Sequence, residues 1–267
     1  MQAIAREFNL AETVFILKPE NPAHTARVRI FTPMTELPFA GHPTVGTGVL
    51  LAQLRSPAPA RRGDALVVLE EGIGIVRVGV RMAAGAAAFA EFDAPKLPTG
   101  SGAAPAVDRL AAALCLIPSE IGFENHRPTR YSAGNPFTFV PVASLDAITK
   151  ARVAAAEWEA AIQGSTGAFL YCRQTLHTTS AFHARMFAPQ LGIPEDPATG
   201  SAAAAFAGVV HRFDEVPDGA HKRIIEQGFE MGRPSLITLS LVVEGGRLTG
   251  ARIGGHAVRV AEGKIEV

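Results

Sequence analysis

The sequence predicts an α+β fold of two similar lobes that face each other across a cleft, and three observations carry that prediction. Strand-like and helical segments do not alternate regularly, which argues against a Rossmann-type parallel sheet. One design occurs twice, as RVRIFTPMTELPFAGHPTVGTGVLLA (27–52) and HARMFAPQLGIPEDPATGSAAAAFAG (183–208). Between the copies lies PKLPTGSGAAPA, a Pro/Gly/Ser/Ala stretch that reads as a linker. The expected lobes are residues 1–102 and 103–267, with the last strand the one candidate for returning to the first lobe.

The elements follow in order. IAREF is a helical end, and ETVFIL (12–17) and the alternating ARVRIFTP (26–33) are strands. Small residues from Pro43 to Leu54 suit a buried helix. ALVVLEEGIGIVRVGVRM (65–82) reads as a β-hairpin with glycines at its bend, and AAFAEFDAP (87–95) as a further strand. Beyond the linker come a helix over Val107–Leu116, a strand over 136–142 and one long Ala-rich helix over 145–163. GAFLYCRQ and SAFHARMFAP are strands, a second small-residue helix covers 200–212, and three or four strands complete the chain.

The totals exclude several function classes. The 267 residues allow a sizeable core, and 25 basic against 25 acidic residues leave no net charge. The basic residues form no runs, which argues against nucleic acid or an anionic membrane as partner. No apolar stretch reaches membrane-spanning length, and the opening residues lack an apolar signal core, so a soluble cytoplasmic protein is expected. Cys115 and Cys172 both read as buried fillers in a reducing compartment. No GxGxxG follows a strand, and P-loop, HExxH and GxSxG motifs are absent. The five lysines sit in no motif, so the expectation is chemistry without a cofactor and without a metal. His177 and His183 share one strand-like stretch, but no third ligand has metal-type spacing. Arg127, Arg130 and Arg185 read as surface or ion-pair residues.

The repeated motif carries the chemistry. Aligned with two residues gapped, His42 pairs with Asp196, Pro43 with Pro197, Gly46 with Gly200 and Thr47 with Ser201. A helix N-terminus presents unpaired N–H groups and a partial positive charge, and Pro is tolerated in its first turn. Gly beside it lets a ligand approach the backbone, while Ser or Thr caps or donates. Two such ends facing across a cleft would hold a substrate carboxylate, with His42 and Asp196 on opposite walls as acid/base groups. Taken singly, His42 reads as a turn residue, Asp196 as a turn opener or helix cap, and Glu12 as a solvated acid at a strand start.

The stretches MQAIAREFNLAETVF, RIFTPMTELPFAGHPTVGTG, FAPQLGIPEDPATGSAAAA, QGFEMGRPS and IGGHAVRV resemble the PhzF family of phenazine biosynthesis, over most of the chain. The resemblance implies the diaminopimelate epimerase fold: two pseudo-symmetric lobes, each a curved, mostly antiparallel sheet around a central helix, with the active site between them. It implies Glu12 as the general base and acid that moves a proton, and His42 and Asp196 as partners that hold and polarise substrate. Gly41, Gly200 and Ser201 would contribute amides or a hydroxyl to a substrate carboxylate. For PhzF itself the reaction is isomerisation of trans-2,3-dihydro-3-hydroxyanthranilate by a proton shift between ring carbons. The resemblance also suggests a homodimer.

Epimerase and proline racemase relatives place a cysteine at each central helix end; here neither motif contains one, which disfavours thiol-based racemisation. Two departures from the family pattern stand out. The usual opening hairpin with a Gly-Asn-Pro turn has no counterpart ahead of Glu12: either the chain begins short of it, or the first lobe has an uncovered, association-prone sheet edge. Ala11 stands where many relatives have Ser. The expected function is thus a cofactor-independent isomerase of a small cyclic or amino-acid-like carboxylate. The alternatives are a small-molecule-binding or regulatory protein of the same fold, and an amino-acid racemase without thiols.

Overall fold

The computed structural model describes residues 1–56 and 63–266. The first lobe runs α1 (Gln2–Phe8), β1 (Thr13–Leu17), β2 (Ala26–Phe31), β3 (Glu36–Leu37), α2 (Gly41–Arg55), β4 (Gly63–Glu71), β5 (Gly74–Met82) and β6 (Ala88–Asp93). Then follow β7 (Thr99–Gly100), α3 (Val107–Ala113), β8 (Thr129–Ser132), β9 (Pro136–Pro141), α4 (Leu145–Lys150) and α5 (Ala155–Ile162). The chain continues through β10 (Ala168–Cys172), β11 (Phe182–Ala188), β12 (Ile193–Asp196), α6 (Gly200–Phe213), β13 (Gly219–Gln227), β14 (Ser235–Glu244) and β15 (Arg247–Ala257). The α+β class expected from the sequence is the one observed.

The two repeats fold into the same unit. In the first, β2 is followed by the short antiparallel return strand β3, then α2, then β4, which pairs parallel to β2 at Ala26↔Leu69. In the second, β11 is followed by antiparallel β12, then α6, then β13, parallel to β11 from Phe182↔Ile225 to Ala184↔Gln227. Each central helix is therefore the crossover that two parallel neighbours require. Among the described residues the remaining ladders are antiparallel except β9–β10. The halves join through β15, which pairs antiparallel with β6 from Arg252↔Asp93 to Ala257↔Ala88 and makes one continuous sheet.

Small side chains let the sheets wrap closely around both helices. Gly48 of α2 lies so near Val78 that a Cβ there would sit 2.7 Å from its Cγ1. In α6, Ala202–Val210 are buried on every face, the pattern of a helix surrounded by core rather than lying on a surface. Phe206 stands in an aromatic cage of Phe139, Phe169, Tyr171 and Phe182, with ring centroids 4.7–5.7 Å away. One apolar cluster runs through both lobes, and a second, with Leu110, Leu114, Trp158 and Ile162, lies under α3–α5.

Four readings of single segments need correction. The long helix expected over 145–163 is two helices, because Arg185 captures the carbonyls of Ile148, Thr149 and Ala151 at 3.0 Å while Arg152 and Ala154 donate backbone N–H groups to Leu114 and Ala113. Tertiary partners for these backbone groups override the helical propensity of the alanines. Arg185 itself is an ion-pair residue but not a surface one: it is buried and forks onto Glu195 with two bonds of 2.8 Å. Cys115 is exposed, because α3 ends at Ala113 and the chain turns through a left-handed φ of 55° that rotates the thiol outward. His177 lies in the turn before β11 and shares no strand with His183.

Among the described residues, no helix is long and apolar enough to cross a membrane.

Candidate active site

The site lies where α2 and α6 begin. The two helix starts touch backbone to backbone: a Cβ on Gly41 would fall 2.3 Å from Gly200 Cα, and one on Gly200 would fall 2.8 Å from Gly41 Cα. Real Cβ atoms do not approach so closely, so the glycines serve the contact between helices. The sequence reading gave them to a ligand; the geometry gives them first to each other. The positive ends of both helices thereby converge on one point.

Each acid/base side chain reaches that point from a separately anchored element. Glu12 immediately precedes β1, whose pairing Thr13↔Phe31 fixes its height on the sheet. The preceding α1 is tied down by Gln2, whose Nε2 donates to the carbonyls of Thr32 and Pro33 at 2.9 and 3.1 Å. His42 is the second residue of α2, and its Nδ1 meets the Ala198 carbonyl at 2.9 Å, so Nδ1 carries a proton and Nε2 is turned to Glu12. Asp196 ends β12, opposite Met186 of β11.

The three side chains, distant along the chain, meet. His42 Nε2 lies 3.0 Å from Glu12 Oε2, and one ligand-type atom from each of Glu12, His42 and Asp196 lies within 4.8 Å of the others. Asp196 is buried, and its Oδ1 has no partner among the described residues. With Gly41, Gly200, Ser201, Asn135 and Phe137 they line a cavity of about 20 Å³, space for one or two water molecules.

Charge balance sets the protonation states. Burial pulls the His42 imidazolium down, but the Glu12 carboxylate, then Asp196 and the Ala198 carbonyl, outweigh it and raise the group to about 9. The side chain is still 35% exposed, so the adjacent charges decide the direction. Burial is the largest influence on Asp196, and with the Glu12 charge it raises the carboxyl to about 6 against the opposing pull of His42 and Thr199. The spacing of the trio would also suit a cation. A protonated His42 places that positive charge between the two carboxyls on a side chain.

Sequence reasoning missed the supports of Asp196. Thr199 occupies the position before α6 but makes no side-chain cap; its hydroxyl donates to Asp196 Oδ2 at 2.5 Å. Gln227 of β13, fully buried, holds both Thr199 and the Asp196 backbone. Asn135 reaches from the second lobe to the first, donating from Nδ2 to the Phe39 carbonyl at 3.3 Å. The signals were present as an ATG turn, a QG pair and a GNP turn, yet none of these indicates which distant partner it meets. A second cluster, His183 with Glu226 and Glu230, is closed: each ring nitrogen contacts a carboxylate at 2.8 Å, leaving none for a ligand.

Comparison with known proteins identifies the family and the fold. The profile of the PhzC-PhzF family, described as phenazine biosynthesis-like protein, matches residues 1–263. An uncharacterized isomerase of Mesorhizobium japonicum is 54% identical over 99% of this chain and 88% of its own length. The trans-2,3-dihydro-3-hydroxyanthranilate isomerase of Pseudomonas chlororaphis is 34% identical over 99% of this chain and 87% of its own. The crystal structure of a PhzF-family phenazine biosynthesis protein of Bacillus anthracis superposes with a TM-score of 0.87 at 25% identity, covering all of this chain and 88% of that one.

Proposed function

This chain belongs to the PhzC-PhzF family of phenazine biosynthesis-like isomerases, and from that premise we propose that it is a cofactor-independent isomerase that moves a proton between carbons of a small cyclic or amino-acid-like carboxylate. The observation that carries the reading is the meeting of Glu12, His42 and Asp196 at the junction of two helix N-termini.

The chemistry follows from these groups. The Glu12 carboxylate takes a proton from one substrate carbon; the C–H electron pair delocalises into the conjugated substrate. The resulting Glu12 acid then delivers a proton to a second carbon. One C–H bond breaks and another forms, with no net oxidation, so acid/base groups suffice. The His42 imidazolium and the helix-end N–H groups stabilise the negative charge while it is spread over the substrate. Gly41, Gly200 and Ser201 line the place where the substrate carboxylate would rest. Asp196, with Oδ1 free, holds the imidazolium protonated and accepts a substrate O–H or N–H.

Incubation in D₂O tests the proposal, beginning with trans-2,3-dihydro-3-hydroxyanthranilate and extending to other ring-hydroxylated and amino carboxylates. Deuterium incorporated at carbon supports an isomerase. Tight carboxylate binding without any incorporation would favour the binding-protein alternative, and chiral analysis of amino-acid products would expose a racemase. The homodimer belongs to the same proposal: light scattering in solution is expected to give twice the 28.0 kDa chain mass, and the chain mass alone would remove that part.

The pH dependence has a definite sign. The productive state has His42 protonated and Asp196 ionised, so kcat/KM is expected to rise through about pH 6 and fall through about pH 9. Because the His42 group is raised on folding, its stabilising contribution is complete below its ordinary value of about 6.5 and is lost as the pH rises through about 9. A pH–rate profile with a single arm in the range of an ordinary histidine would contradict this assignment.

A further inference from the structure

Gln227 has no place in the reaction so far, yet its carboxamide is held by three hydrogen bonds beside the site. Its side chain is fully buried. Oε1 accepts the Thr199 backbone N–H at 3.1 Å, and Nε2 donates to the Asp196 carbonyl at 2.7 Å and to Thr199 Oγ1 at 2.9 Å. These partners fix which way the amide points. Flipped, it would set oxygen against the Asp196 carbonyl and N–H against the Thr199 N–H.

The consequence reaches the Thr199 hydroxyl. A hydroxyl has one proton, and the Gln227 N–H already occupies one of its lone pairs. The proton therefore cannot point toward Gln227 and is left for Asp196 Oδ2 at 2.5 Å. The chain of donors runs Gln227 Nε2–H to Thr199 Oγ1–H to Asp196 Oδ2, all in one direction. It ends on the acid whose other oxygen is unpartnered at the cavity.

We propose that Gln227 is a positioning residue of the active site: by orienting the Thr199 hydroxyl it fixes both the place of the Asp196 carboxylate and its readiness to ionise. The inference rests on the isomerase reading only for its benefit to catalysis, since the geometry exists in the free protein. The charged groups facing Asp196 are Glu12 from the segment before β1 and His42 from α2; Thr199 and the Ala198 backbone approach from its own turn. Neither Glu12 nor His42 bonds to Gln227, so a change at Gln227 acts on Asp196 through Thr199 and the turn.

The test needs no substrate. In the full chain, the Asp196 side-chain carboxyl is assigned by comparison with Asp196→Asn and titrated by ¹³C NMR. Gln227→Glu keeps the shape but replaces the donor with an acceptor that draws the Thr199 proton away. The Asp196 midpoint is expected to rise by about one pH unit, the scale of one hydrogen bond to a charged group. Gln227→Met, which removes the donor without adding charge, is expected to shift it in the same direction and serves if the Glu variant does not fold. In a Thr199→Val background the hydroxyl is already gone, so Gln227→Met should add little further shift. A folded Gln227→Met protein with an unmoved Asp196 midpoint overturns the proposal, as does a full additional shift in the Thr199→Val background. A shifted midpoint in a protein that catalyses no exchange at carbon would uphold the positioning role while the isomerase reading fails.

Discussion

Glu12→Gln is expected to lower kcat for carbon-to-carbon proton transfer by about 10²–10⁴-fold, the usual contribution of a positioned general acid/base. The substitution keeps the size and one oxygen of the side chain but removes the group that takes and returns the proton. Nothing else at the site replaces it. In the proposed mechanism Asp196 accepts a substrate O–H or N–H, and His42 acts as the imidazolium, which has no lone pair to take a proton. The fold should persist, since the substitution keeps the size of the side chain and its neighbouring strand is fixed by five register pairs with β2. Binding of a carboxylate ligand should survive more fully than turnover. Steady-state kinetics with a thermal melt check both parts, and a variant that retains wild-type turnover would remove Glu12 from the mechanism.

The second large effect is expected at the helix junction. Gly41→Ala places a methyl group 2.3 Å from the Cα of Gly200, where the opposing atoms are backbone and cannot rotate away. The two helix starts must separate. Overpacking of this kind costs typically about 1–3 kcal/mol, and backbone against backbone belongs at the upper end. For a chain of this size about 1 kcal/mol corresponds to a few degrees of melting temperature, so a clear drop in Tm is expected. Because His42 follows Gly41 directly and Asp196 precedes Gly200 by one turn, separation also pulls the imidazole from the acids, and activity should fall beyond what the stability loss explains. Gly46, with open space around its Cβ position, is the control: Gly46→Ala should leave Tm near wild type. Equal melting of the two variants would show that the junction is not tight.

Much of this architecture was legible because the duplicated segments carry turn chemistry at fixed spacing. Pro38 and Pro194 and the runs of Ala and Val behind them announced two buried helices opened by the same kind of turn, but the pairing of Gly46 with Gly200 was out of register: the helices begin at Gly41 and Gly200. The repeat itself put His42 and Asp196 forward as acid/base groups and gave the reason for them to meet, and Glu12 came only from the family resemblance. What remained hidden depends on partners far apart in the chain. Arg185 breaks a run of alanines that local propensity would join, through carbonyls more than thirty residues away. Cys115 looks internal by composition and faces outward because one left-handed residue ends the helical period. Gln227 sits in no pattern with Thr199, and a buried amide's orientation is decided only once both its partners are in place. The glycines were read as a place where a ligand approaches the backbone, and that the two helix starts approach each other there could be seen only with both helices present.

The central claim is that Glu12, His42 and Asp196 form one charge-coupled unit. Titration of the His42 ring by ¹⁵N NMR tests it most directly, in the wild-type chain and in Glu12→Gln. The account predicts a midpoint near 9 in the wild type, falling toward the ordinary histidine range when the Glu12 charge is removed. A wild-type midpoint near 6.5 that does not respond to Glu12→Gln would contradict it.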